Sequence, residues 1–311
     1  MDKYNERLKK KVSIGLSLEL SLEEYEKIFD NYGEYLHSLY FSPPLDGKYH
    51  SRTKITTQLQ NPRNKKKLFD ILELAKENDI LLDCVLNRPT IRLCDVEQAI
   101  PFIETMKVDQ ITCLQEHVDL IDKYFPDKDL IFSYNNDLNP RDINNISKKF
   151  GTVVVAKSFL RTPELLRKIA TNGFKLKPLV NNGCSYNCQG CKTGNIECQN
   201  TFDKNLEKYG LNYLYALQSF YPFELEELLN IIEEEKIPLE SIKISNRTDG
   251  YSYLNKCLDS YINGTNPQKY IDEHPQNYRL WSRLGALNDH LFELDSEEII
   301  KIKEKGFKKH V

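Results

Sequence analysis

The chain has 311 residues, 40% of them hydrophobic and 29% charged, with a formal net charge of -3. That is enough material for one large core, such as a barrel of about 250 residues with extensions, and it leaves no global positive field to attract nucleic acid. No apolar run approaches the roughly 20 residues that cross a bilayer, and the opening MDKYNERLKKKVSIGLSLEL is too short and too polar for a signal peptide, so a cytoplasmic protein is expected.

From Val12 onward, short β-like runs alternate with runs of helical periodicity. Val12–Leu20 reads as a strand, and Ser21 with Glu24 three residues on forms a capping box that opens a helix. Leu36–Ser42 is a second strand, followed by a long polar loop over 46–62 and a helix over Lys65–Asn78. Leu81–Leu86, Asp109–Leu114, Leu130–Tyr134 and Thr152–Ala156 read as further strands. Helices are expected near Val96–Met106, Val118–Tyr124, Asp142–Phe150 and Pro163–Asn172. Lys175–Val180 is the seventh strand, Glu224–Glu235 a helix, Ser241–Ser245 the eighth strand and Tyr253–Ile262 its helix. Eight strands alternating with helices predict an all-parallel (β/α)8 barrel over residues 1–265. Residues 266–311 read as a C-terminal extension packed on that barrel.

Cys84, Cys94, Cys113 and Cys257 are scattered among apolar neighbours and read as small buried hydrophobes. The other four cysteines fall in one segment, Val-Asn-Asn-Gly-Cys184-Ser-Tyr-Asn-Cys188-Gln-Gly-Cys191-Lys-Thr-Gly-Asn-Ile-Glu-Cys198. Four thiolates on a Gly- and Asn-rich stretch can converge on a metal centre. Structural zinc sites usually pair two Cys-x-x-Cys knuckles across a longer spacer. The compressed, unequal gaps here favour a 4Fe–4S cluster, with zinc as the alternative cofactor. The segment directly follows the seventh strand, which puts it on the C-terminal face where barrel enzymes place their chemistry. Cys184-x3-Cys188-x2-Cys191 also matches the spacing of radical S-adenosylmethionine enzymes, but it follows the seventh strand rather than the first, and Gly190 stands where an aromatic residue is usual.

Two stretches resemble the collagenase-like peptidase superfamily, which includes oxygen-independent hydroxylases of ubiquinone precursors and RNA bases. KLKPLVNNGCSYNCQGC is similar to the VNxGCxxxC segment of one of its less studied branches. PFELEELLNIIEEEKIPLESIKISNRTDGYSYLNKCLDSYI is similar to its helix, Lys-Ile-x-x-Arg strand and tyrosine-bearing helix, with Lys243, Ile244 and Arg247 at the motif positions. The resemblance implies a barrel, a four-cysteine cluster and, in the hydroxylase branches, oxygen insertion without O2. The cysteines are contiguous here rather than dispersed, and Ser245-Asn246 replaces the usual Glu-Gly.

Residues that end the strands are further candidates, among them Ser42, Asn87, Gln115, His117, Asn181 and Asn182. Arg88 and Arg247 stand out, because a guanidinium at a barrel mouth suits a carboxylate or phosphate by bidentate bonding. The expected protein is an iron–sulfur barrel enzyme doing redox chemistry on a small-molecule or peptide substrate. Arg247, Arg88 and Lys243 would line its site, an electron donor would feed it, and a protein of the same superfamily is a candidate partner. The alternatives are a radical S-adenosylmethionine-like enzyme, a non-catalytic subunit with a structural cluster or zinc, and a peptidase. For the last, the chain has no Gly-x-Ser-x-Gly elbow and no His-Glu-x-x-His helix.

Overall fold

The computed structural model describes residues 2–44, 61–87, 91–133, 142–155, 163–185, 217–219, 222–244 and 250–263. Within them lie the strands β1 (Val12–Gly15), β2 (Leu36–Phe41), β3 (Leu81–Leu86), β4 (Gln110–Cys113), β5 (Asp129–Phe132), β6 (Thr152–Val155), β7 (Lys175–Pro178), β8 (Asn181–Ser185), β9 (Leu217–Ser219) and β10 (Ile242–Ile244). Eight of these form one sheet in the order β10-β1-β2-β3-β4-β5-β6-β7, every neighbouring pair parallel. Bridges Leu176↔Leu239 and Leu179↔Lys243 join β7 to the segment of β10 and close the ring. The chain is an α/β protein with a TIM-like barrel, as the alternation of strand and helix signals predicts. Among the described residues, no helix is long and apolar enough to cross a membrane.

The helices form where local chemistry supports them. In Leu22–Tyr32 the Glu24 N–H donates to Ser21 Oγ (3.1 Å) and the Ser21 N–H to Glu24 Oε2 (2.7 Å), completing the expected capping box. Pro62–Glu77 starts with a proline in its first turn, and Asn61 caps it through the Arg63 N–H. It buries Leu68, Ile71, Leu72 and Ala75, a single helical stripe, against the barrel. The outward strand residues Ile14, Leu39, Leu82 and Ile111 meet such stripes and are fully buried, each worth about 1.5–3 kcal/mol of apolar transfer.

Three expectations change. The first strand ends at Gly15 rather than Leu20, because the Ser17 N–H turns to the Tyr25 hydroxyl (2.6 Å). The helix expected over 142–150 is a single 3-10 turn, Asp142–Asn145. There the Ser147 N–H donates to Gln115 Oε1 (3.2 Å) and the Lys149 N–H to Ser147 Oγ (3.3 Å), so side chains take bonds that a helix would need. The antiparallel pair β8–β9 is additional, formed between segments distant in sequence. The proposed C-terminal extension, 266–311, lies outside the described residues.

The register gives the interior its layers. Ser13 pairs with Ser38 and Ser38 with Leu81, so Asp83 lies two residues further on at the same height. The same two-residue step leads from Asp83 to Ile131, from Ile131 to Lys177 and from Lys177 back to Ser13, eight residues for the circuit. The middle layer is therefore Ser13, Asp83, Ile131 and Lys177. Ser38, Gln110, Thr152 and Ser241 lie on its N-terminal side, and Tyr40, Thr112, Val154 and Lys243 on its C-terminal side. Barrel layers of this kind are usually dominated by Val, Ile and Leu. Here Lys177 reaches across the axis from β7 to Asp83 on β3, Nζ to Oδ2 2.9 Å, with both side chains fully buried. Ser13 Oγ lies 2.7 Å from both Ser38 Oγ and Ser241 Oγ, a hydroxyl chain beside the pair.

At the N-terminal end of the barrel, Glu240 accepts from His37 (3.0 Å), Gln110 (2.8 Å) and Lys175 (2.9 Å). The His37 bond and then Lys175 hold its carboxyl far below the ordinary carboxylate range, against the burial that would raise it.

Two outcomes follow from these layers. Lys177→Met strands a buried carboxylate and should cost about 3–5 kcal/mol in urea unfolding, whereas Lys177→Met with Asp83→Leu should recover most of that loss. Glu240 and Asp83 both have lowered folded-state pKa values, so the unfolded chain binds more protons in the window below about pH 4. Stability should be fully present above that window and fall as pH drops through it. Glu240→Gln should make the acid limb of a stability–pH curve less steep, and an unchanged limb would remove Glu240 from this role.

Candidate functional site

The polar interior continues from the middle layer towards the C-terminal mouth. Asp83 Oδ1 accepts from Thr112 Oγ1 at 2.6 Å while Oδ2 takes Lys177, and Lys177 Nζ is also 3.5 Å from Ser38 Oγ. Burial alone would push the Asp83 carboxyl up. Lys177, then Lys243, then the Thr112 bond outweigh it and hold the group below its ordinary value. Lys243 Nζ lies 4.1 Å from the centroid of the Tyr40 ring, a cation–π contact, and the side chain is largely buried. The Tyr40 hydroxyl donates to the Ile244 carbonyl (2.8 Å), which fixes the ring beneath that ammonium. Two lysines thus share the field of one carboxylate inside the barrel, and Lys243 is the one nearer the mouth.

Lys243, a candidate from the sequence, lies buried in the layer towards the C-terminal mouth. Asp83, Lys177, Thr112 and Tyr40 were missed. Their signal is readable: a strand buried on both faces should be nearly all apolar, and LLDCVL and KLKP each carry a charge at a lumen-facing position. Of the strand-end candidates, Ser42 is buried and its Oγ has no hydrogen-bond partner. Asn87 Nδ2 donates to Ser133 Oγ (2.8 Å), bridging the ends of β3 and β5. His117 lies in the 3-10 turn after β4, buried, with its ring bonded to the Ile91 backbone and Nδ1 without a partner. Burial lowers its pKa, which favours the neutral ring. Gln115 is exposed and occupied with the Ser147 N–H. Arg88 and Arg247 lie outside the described residues.

The cysteine segment begins at this same mouth. The Val180 N–H donates to the Lys243 carbonyl (3.1 Å), and the chain runs on as β8, with Cys184 as its fourth residue. Leu217–Ser219 pairs with β8 antiparallel. Cys188, Cys191 and Cys198 lie outside the described residues. Of the scattered cysteines, Cys84, Cys113 and Cys257 are buried as expected, but Cys94 is exposed. It lies in the first turn of the helix Leu93–Thr105, whose stripe of Val96, Ala99 and Ile103 faces the core and leaves Cys94 outside.

No family model and no curated protein matches the chain. Among solved structures, the U32 peptidase Mk0906, of the collagenase-like family, aligns over 76% of this chain and 92% of its own, with a TM-score of 0.50 and 10% identity. A mutant tryptophan synthase α-subunit from Pyrococcus furiosus covers 86% of this chain and 97% of its own, with a TM-score of 0.43 and 11% identity. At 10% identity the likeness to the U32 peptidase is one of fold.

The described cysteines should separate by reactivity. Burial raises the pKa of the Cys84 and Cys113 thiols, and only thiolate reacts fast with alkylating agents. Iodoacetamide on native protein should label Cys94 first and reach Cys84, Cys113 and Cys257 only on unfolding, as read by peptide mass spectrometry. Equal labelling of Cys94 and Cys84 in the native state would contradict these burials.

Proposed function

We propose that this chain is an iron–sulfur β/α-barrel enzyme of the collagenase-like peptidase superfamily, acting by redox chemistry on a small or peptide-bound substrate. Cys184, Cys188, Cys191 and Cys198 are its cluster ligands. The observation that carries the reading is the exit of the cysteine segment: Val180 is bonded to Lys243 at the end of β7, and Cys184 follows on β8. Barrel enzymes do their chemistry on that face. The donor set fits the group, because soft thiolates select iron–sulfur clusters and zinc over hard cations.

A cluster held by all four thiolates would supply electron transfer. The chain's own residues do the rest. Lys243, together with Arg88 and Arg247, binds and orients anionic groups of the substrate. The Lys177–Asp83 pair below keeps the floor rigid and polar. The specific reaction is hydroxylation without O2. Converting R–H to R–OH withdraws two electrons from the substrate carbon, so an oxygen-atom donor must be reduced by two electrons in the same turnover.

Anaerobically purified protein should be brown and hold about one four-iron cluster per chain. Cys184→Ala and Cys198→Ala should both lose iron and sulfide, while Cys84→Ala should retain them. Colourless protein with stoichiometric zinc and no sulfide, after expression with iron supplied, would sink the redox reading.

A further inference from the structure

We infer that the barrel mouth above the Tyr40–Thr112–Val154–Lys243 layer is a binding subsite for a small carboxylic acid with an apolar body, its carboxylate held by Lys243 Nζ and Ser42 Oγ. On β2, Ser38 and Tyr40 face the lumen, and Ser42 follows the end of the strand two residues after Tyr40, whose ring supports the Lys243 ammonium. The Ser42 side chain is 6% exposed and its Oγ, shielded from solvent, bonds to nothing. A buried hydroxyl left without a partner is unfavourable, so a ligand oxygen is the chemistry that would offset it. Lys243 is likewise 6% exposed, so the two donors are largely dry, where a charge-assisted bond is strong. Between their strands β1 presents Gly15, paired with Tyr40 and carrying no side chain.

The rest of the wall has a different character. Val85 on β3 and Val154 on β6 are buried but stand apart from the contiguous core between barrel and helices, as lumen-facing residues should. Asn87 and Ser133 bond to each other above them. A ligand at this mouth therefore meets a cation and a hydroxyl together with branched aliphatic surface. A planar carboxylate, with two oxygens for two donors and a short hydrocarbon body, matches that arrangement better than a phosphate, whose further oxygens would face Val85 and Val154. Asp83 lies too deep to interfere, bonded already to Lys177 and Thr112.

The inference deepens the proposed function by naming a substrate class for the same mouth, and it rests on that reading only for what happens to the bound acid. Binding is measured by calorimetry at low salt on the full chain, with butyrate, its neutral isostere butyramide, and inorganic phosphate as probes. Butyrate should bind saturably, butyramide not at all and phosphate more weakly than butyrate. Lys243→Gln should weaken butyrate about tenfold or more, the loss of one charge-assisted hydrogen bond. Ser42→Ala should weaken it several-fold with an unchanged melting temperature, which keeps the test open should Lys243→Gln fail to fold. Absence of saturable butyrate binding, undiminished binding by Ser42→Ala, or tighter binding of phosphate than of butyrate would overturn the subsite. Brown protein that ignores butyrate leaves the cluster reading standing and removes the subsite, and colourless protein that binds butyrate through Ser42 does the reverse.

Discussion

The barrel is organised around one ion pair. Lys177 and Asp83 stand on opposite strands of the ring and meet across its axis at 2.9 Å, both fully buried. Removing two charges from water costs several kcal/mol each, and an aliphatic layer of the same volume is often as stable or more so. The pair is tolerable because its groups are satisfied: Asp83 also accepts from Thr112, and the Ser13, Ser38 and Ser241 hydroxyls bond among themselves beside Lys177. It dictates what its neighbours can be, since small hydroxyl side chains leave room for the long lysine while bonding one another. Stability alone gives little reason to fill a barrel this way. On the proposed function, the pair supplies a rigid polar floor beneath Lys243.

The two ends of the barrel divide the work. At the N-terminal end, Glu240 gathers His37, Gln110 and Lys175 and ties together strand starts far apart in the chain. Conservative closure of this kind belongs to stability. Towards the C-terminal end the polar groups are arranged differently. Lys243 sits over an aromatic face, Ser42 Oγ is buried without a partner, and the cysteine segment leaves from Val180, whose N–H is bonded to the carbonyl of that same lysine. Buried polar groups without partners occur at both ends, Gln110 Oε1 at the N-terminal end and Ser42 Oγ at the other, but the C-terminal face is where barrel proteins place their ligands.

The cysteines illustrate how burial separates similar side chains. Cys84 and Cys113 face outward from their strands into the layer between barrel and helices, where burial raises their pKa and makes them inert. Cys94 has the same apolar neighbours in sequence but falls on the solvent side of its helix. Cys184 lies on a strand beyond the barrel, in an antiparallel pair with Leu217–Ser219.

Much of this was legible in the sequence. Periodicity alone located all eight barrel strands, because a parallel strand covered by helices must be short, apolar and followed by an amphipathic run. The Ser21–Glu24 capping box and the position of the cysteine segment after the seventh strand were likewise local facts, carried by adjacent residues. The tertiary structure decided which distant residues meet. No local pattern says that the lysine of KLKP reaches the aspartate of LLDCVL, since their contact spans 94 residues and depends on barrel closure and its eight-residue stagger. The same stagger brings Tyr40 and Lys243 into one layer, where the ammonium lies over the ring. The charge inside each strand was visible in the sequence, but its partner was fixed only when the sheet closed into a ring.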